Sequence, residues 1–293
     1  MGSFVPLTLS DFGRRLCIAG SIAGSVIGAI CATAGDCIAQ GKLDAQYTAS
    51  LAGVPIGRGR WVVDIGEDQY TAAATGMTAG ILSVFTSGQG SGASKGHVRS
   101  DGLAPNTYAS SVTADHKLEE MRIVLSSGTV KEVTITPPTA FNPERVPLTD
   151  AHRRGVTDPM SGLLIRVPGT GDPLSAEACR RTIPVFDGRM RFDLQLSFKR
   201  MDVAKAEKGY RGPAVVCSIQ FVPLAGYVPD RPAVKYLVSQ HEMEVWLAPV
   251  MGTRVVVPFR VSLPTPLGRG VLEATQFITT PVAPRLTANG PTH

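Results

Sequence analysis

Aromatic residues make up only 6% of this 293-residue chain, and it holds 5 histidines and 5 cysteines. A structural metal site needs about four ligands in short register. His97, His116, His152 and His241 stand far apart, so none is expected. Charge is thin as well. The net +5 is spread along the chain without a Lys/Arg cluster, which excludes a DNA or RNA interface and leaves a weak preference for anionic surfaces. No repeat of fixed period and no heptad run is present. The glycines of Gly88 to Gly96 precede no helix, and no Gly-Lys-Ser/Thr follows, so there is no phosphate-cradling loop and no cofactor is expected.

The N-terminal segment is the most informative part. Arg14 and Arg15 precede the uncharged run Leu16–Cys31, and Ala32-Thr33-Ala34 closes it with a small-x-small pattern, which reads as an export signal over residues 1–34. The run is close to the roughly 20 residues that span a bilayer. Its Gly, Ala and Ser content and the lack of an aromatic or basic stop favour cleavage over anchoring. Cleavage after Ala34 or after Ala39 would leave Gly35 or Gln40 as the new terminus. A periplasmic protein is expected, touching membrane only transiently and monomeric. Ile30 and Asp36 precede Cys31 and Cys37 where a lipoprotein signal wants Gly or Ala, so lipid attachment is not expected. Cys179 and Cys217 are then the certain mature cysteines, and an oxidising compartment makes them one disulfide; two buried free thiols are the alternative. Closing a loop of about 39 residues is worth roughly 4 kcal/mol in the chain-entropy model.

The mature chain is written in period two. Leu43, Ala45, Tyr47, Ala49 and Leu51 alternate with polar residues, as a half-buried strand requires. A turn at Gly53–Gly57 leads to strands over Arg58–Ile65 and Gln69–Met77; Thr78–Phe85 fits a short helix or another strand. After a Gly/Ser stretch, Ser94–Ser100 and Thr107–Thr113 read as strands, and Met121–Leu125 returns through a three-residue loop, Ser126-Ser127-Gly128, into Val133 and Ile135. Prolines between Pro137 and Arg181 exclude a central strand there. Asp158 with Pro159 suits the start of a short helix to Leu164, and Ser175–Arg181 suits a second. This connection is expected to cover an open edge or mouth of a single sheet, tied down through Cys179. Strands resume at Met190–Phe198, Val215–Phe221, Tyr236–Leu247, Val255–Leu263 and Gly270–Ile278. Pro258 marks the fourth of these as an edge strand. The expected class is mainly β: a single curved antiparallel sheet rolled into an open barrel or spiral, with one or two short helices in the Pro-rich middle. It occupies residues 40–280, with a flexible tail over 281–293.

Tyr47 ahead of Gly53-Val54-Pro55-Ile56-Gly57, then Cys179, then Ile183-Pro184-Val185-Phe186-Asp187-Gly188-Arg189 leading to Phe192, and the closing Pro264-Thr265-Pro266-Leu267-Gly268, resemble the bacterial envelope proteins grouped as domain-of-unknown-function family 3108. The likeness spans most of the mature chain. It implies an exported, β-rich periplasmic protein of Gram-negative type with a partly rolled sheet, similar in shape to carriers that hold acyl chains. It implies no reaction.

Catalytic patterns are weak. Gly92-Ala93-Ser94-Lys95-Gly96 matches G-x-S-x-G, but strand continues after it where a nucleophile elbow needs a helix. His241-Glu242-Met243-Glu244 lacks the H-E-x-x-H spacing. The sequence therefore points to a non-enzymatic protein that supports the cell envelope by binding a hydrophobic or amphipathic ligand on a concave face. The candidate ligand stripe is Met190, Phe192, Leu194, Leu196 and Phe198. The alternative is a closed-core scaffold that binds an envelope protein, and a hydrolase is more remote.

Overall fold

The computed structural model describes residues 40–79, 88–100 and 102–282. The expected signal, both cut points, residues 80–85 of the undecided Thr78–Phe85 region, and the tail from residue 283 lie outside them. Strand β15 (Gly268–Val282) runs two residues into the segment expected to be tail.

Seven strands form one antiparallel meander: β1 (Gln40–Leu51), β2 (Val54–Ile65), β3 (Gln69–Thr78), β4 (Gly88–Val98), β5 (Leu103–Ala114), β6 (Lys117–Ser126) and β7 (Thr129–Thr136). After the Pro-rich connection, whose one strand is the two-residue β8 (Ile165–Arg166), a second meander follows. It comprises β9 (Arg181–Phe186), β10 (Arg191–Lys205), β12 (Arg211–Ala225), β13 (Met243–Pro249), β14 (Val255–Thr265) and β15, with a two-residue β11 (Lys208–Gly209) beside β15. The meanders join where β1 pairs β15. The sheet order is β7-β6-β5-β4-β3-β2-β1-β15-β14-β13-β12-β10-β9. The two strands flanking the Pro-rich connection are thus the two ends of the sheet, and the connection has to span the opening between them.

The sheet does not close by pairing β7 with β9. Residues 154–157 lie between the ends instead. Arg154 bridges Thr129, the Val156 N–H donates to the Gly128 carbonyl at 2.9 Å, the Thr157 N–H to Pro184 at 2.8 Å, and the Phe186 N–H to Thr157 at 2.9 Å. Beneath this strap Val156 packs with Ile123, Leu125, Val130 and Phe186. Further on, Ile165, Val167, Ala178 and Cys179 cover one face of the second meander, against Leu196, Val215, Cys217, Val245, Leu247 and Val256, and the Cys179–Cys217 disulfide fastens the cover. The larger core lies inside the roll, around Leu43, Ala45, Trp61, Val63, Tyr70, Val257, Phe259 and Phe277. The connection therefore covers both the sheet opening and a sheet face.

Four local expectations are corrected. The β6–β7 hairpin turns on two residues, Ser127 and Gly128, both with positive φ (47° and 70°), because such a turn matches the twist of its strands. The expected start of a strand at Tyr236 is α1 (Pro232–Ser239), with Pro232 in the first turn, where its missing N–H breaks no helical bond. Pro258 lies in β14, which is central and paired on both sides. The register slips between Trp246 and Leu247 opposite it, and this bulge absorbs the missing donor. Gly88–Ala93, set apart as a Gly/Ser stretch, is the first half of β4. The two short helices are 3-10 turns, Ser161–Leu163 and Ala176–Cys179, and a third covers Asp150–Arg153.

Candidate functional site: an apolar cavity and its plug

Alternation fixes which residues of β2–β4 face into the roll, and at one level of the sheet they are all glycine. Gly59 pairs with Gly76 and Gly76 with Gly90, so a ladder row three strands wide carries no side chain. The row beside it runs Trp61, Ala74, Gly92. A sheet face built this way leaves room above it. The sequence signal was the period-two run Gly88, Gly90, Gly92, Ser94, Gly96, which reads as loop when only glycine content is weighed.

The strap continues into this room as a plug, residues 158–164. Asp158 caps the 3-10 turn, as expected of it: its Oδ1 accepts the N–H groups of Met160 and Ser161, each at 2.9 Å. Its Oδ2 accepts the hydroxyls of Ser161 at 2.5 Å and Ser94 at 3.0 Å. Ser161 Oγ also lies 2.8 Å from Ser94 Oγ and 2.6 Å from Tyr70 Oη. All four residues are buried. Burial pushes the Asp158 carboxyl above its usual range against the opposing hydrogen bonds, and pushes the Tyr70 phenol up to about 12. Met160 rests on Gly92, where an added Cβ would sit 3.2 Å from its Cε.

Above the plug opens a cavity of about 790 Å³. Tyr47, Trp61, Met160, Leu163, Leu263 and Leu272 line it, together with Gly57, Gly59 and Gly76. No Asp or Glu lines it. Size and lining fit the roughly 300–1,000 Å³ of apolar ligand sites. A cleft of about 640 Å³ across β3–β7 is lined instead by small and polar residues, among them Ser91, Ser111, Glu120, Arg122 and Thr134, and offers no comparable apolar surface.

The stripe Met190, Phe192, Leu194, Leu196 and Phe198 does not reach this cavity. Leu196 is 6% exposed and belongs to the core beside the disulfide, Phe192 packs on Phe221 with ring centroids 5.2 Å apart, Met190 and Leu194 are half-buried, and Phe198 is 43% exposed. The apolar face of β10 meets the Pro-rich connection, while the open space lies over β1–β3, β14 and β15.

Ser94 of the G-x-S-x-G match sits mid-strand in β4 and donates to a carboxylate. His97 and His241 are exposed, His116 occupies a tight turn at φ 64°, and His152 bonds Thr149. Among the described residues no group of three or more His, Cys, Asp or Glu could hold a metal ion.

The sequence profile of the family described as "Protein of unknown function (DUF3108)" matches residues 46–275. Among solved structures, one similar chain is a "Beta-barrel-like Protein of Domain of Unknown Function DUF1849 from Brucella abortus", with a TM-score of 0.47 and 10% identity over 82% of this chain and 97% of that one. No curated protein shows a significant match.

Proposed function

The chain belongs to that family of unknown function, which brings no activity with it, and we propose that it is an exported, non-enzymatic periplasmic protein that supports the envelope by binding a hydrophobic or amphipathic ligand. The observation that carries this reading is the cavity: an apolar space of about 790 Å³ lined by Gly57, Gly59 and Gly76 on one side and by the plug residues Pro159, Met160 and Leu163 on the other. Close packing is the rule in protein interiors, so a large apolar space kept open by residues without side chains is best explained by an occupant. The engagement of Ser94 with Asp158 rather than with a histidine supports the non-enzymatic part, and the Arg14–Ala34 segment supports export.

Gly76→Leu tests the reading. An added Cβ there would meet only the Arg58 carbonyl, at 3.6 Å, and Gly76 does not have positive φ, so a leucine enters the cavity without backbone strain. Native mass spectrometry of protein purified from periplasm, with lipid extraction, should show a bound apolar molecule in the parent protein and its loss in Gly76→Leu. Absence of any bound molecule, together with no uptake of a fluorescent fatty acid, would reject the proposal.

A further inference from the structure

Two hairpin turns stand side by side at one end of the roll. The Ala52 N–H of the β1–β2 turn donates to the Arg269 carbonyl beside the β14–β15 turn at 2.9 Å, and Leu51 pairs with Gly270. Both turns present apolar side chains. Leu267 is 76% exposed and Val54 43%, with Ala52, Pro55 and Pro266 exposed around them. Both are tight and braced. Ala52 and Gly53 take positive φ of 49° and 83°, and the Thr265 hydroxyl accepts the Leu267 N–H at 3.2 Å and donates to the Gly268 carbonyl at 2.7 Å. A few residues further in, the same hairpins line the cavity, through Ile56 and Gly57 on one and Leu263, Gly270 and Leu272 on the other. An apolar track therefore joins the exposed turns to the cavity. The other end of β2 differs, since it leads into Glu67 and Asp68, both exposed.

Charge is ordered behind the turns. Residues 50–57 and 261–268 carry none, and the next residues beyond these runs include Arg58 on β2, Arg260 on β14 and Arg269 on β15. The carboxylates of Asp44, Glu273 and Glu242 are held by Arg60, Arg260 and Arg269. Arg58, on the outer face of β2, is exposed and has no partner among the described residues. Apolar turns backed by arginine match the layers of a bilayer, acyl chains deepest and phosphates above them. Resting on the ligand-binding reading above, we infer that the two turns dock the cavity on a phospholipid membrane. Val54 and Leu267 enter the acyl layer, Arg58 meets phosphate, and the ligand passes between membrane and cavity past Leu263 and Leu272.

Flotation of the full mature protein with vesicles tests this, using phosphatidylethanolamine with phosphatidylglycerol in one set and phosphatidylcholine in the other. The parent protein should float with both, and more with the first. Val54→Asp combined with Leu267→Asp should weaken flotation about tenfold. Arg58→Glu should weaken it about fivefold on the anionic vesicles and little on phosphatidylcholine. Leu267→Trp, a single change on an exposed turn, keeps the test valid if the double variant folds poorly: its emission should shift to the blue on vesicles and be quenched by brominated acyl chains. Gly76→Leu should float like the parent yet fail to carry a fluorescent fatty acid from one vesicle population to another. No flotation of the parent with either vesicle, or equal flotation of parent and folded double variant, would overturn the docking inference; a bound apolar molecule in the purified protein would then still uphold the ligand-binding reading. Flotation that depends on Val54 and Leu267, with no fatty acid taken up, would uphold docking and reject the ligand.

Discussion

Ser94 of β4 and Asp158 of the plug, 64 residues apart in the chain, are joined by a 3.0 Å hydrogen bond in the interior. The contact belongs to a set of four oxygen–oxygen contacts: Tyr70–Ser161, Ser161–Asp158, Ser94–Asp158 and Ser94–Ser161. Three hydroxyls supply only three protons for these four contacts. A fourth proton would have to sit on Asp158, which would then donate to one serine Oγ instead of accepting from it; burial favours that form and the hydrogen bonds to the carboxylate oppose it.

Asp158→Asn should therefore be mild and Asp158→Ala severe. The amide can accept the two backbone N–H groups and donate to Ser161, so a loss under about 1 kcal/mol is expected. Alanine leaves buried N–H and hydroxyl groups unmatched, at about 1–3 kcal/mol for each uncompensated group. Urea unfolding at neutral pH checks this, and a large loss in Asp158→Asn would mean that the ionised form is the one bound.

The pH dependence follows from the same group. A carboxyl whose folded pKa is raised above the ordinary 3.8 binds its proton more tightly in the folded state. Its contribution is fully present below 3.8 and is lost as pH rises through the folded value. Glu119 runs the other way. The Arg189 guanidinium, donating through hydrogen bonds of 2.6 and 2.8 Å, holds it below 4.5, so its contribution is present above that value and is lost as pH falls through the lowered one. Asp158→Asn should flatten the decline on the alkaline side of 3.8, and Glu119→Gln the decline on acidification. The latter is small, below about 1 kcal/mol, because the pair is partly exposed. Thermal midpoints from pH 3 to 8 separate the two.

The Cys179–Cys217 bond ties the connection to β12 across a separation of 38 residues, and both cysteines are fully buried. Cys217→Ser, or reduction under denaturing conditions, should cost about 2–4 kcal/mol. Equal midpoints with and without reductant in the unfolding titration would contradict a stabilising role.

Leu196→Gln puts an amide into the core beside the disulfide and should cost about 3 kcal/mol in lost packing and unmatched polarity. Leu194→Gln, half-buried and remote from the cavity, should be milder. Neither should change ligand affinity, whereas Gly76→Leu should abolish binding with little loss of stability. Paired binding and unfolding measurements on the three variants check this.

The sequence by itself determined the class of fold, because strand alternation is a local signal. Leu43, Ala45 and Tyr47 are buried in β1 as their spacing requires. It also pointed to the disulfide and the cap at Asp158, since Cys179 and Cys217 are the cysteines outside the N-terminal segment and Asp-Pro is a local helix-start signal. Only the tertiary structure decided which apolar face is covered and which is open. The stripe on β10 and the glycine run on β4 both read as one face of a strand, and what lies over each depends on where the connection between β7 and β9 comes to rest. That connection is placed by contacts such as Ser94–Asp158 and Cys179–Cys217, between residues remote in sequence, and periodicity carries no information about such contacts. The cavity likewise exists because Gly59 and Gly76 fall into register across β2 and β3, and register is set by pairing and bulges along the whole sheet rather than by any one strand.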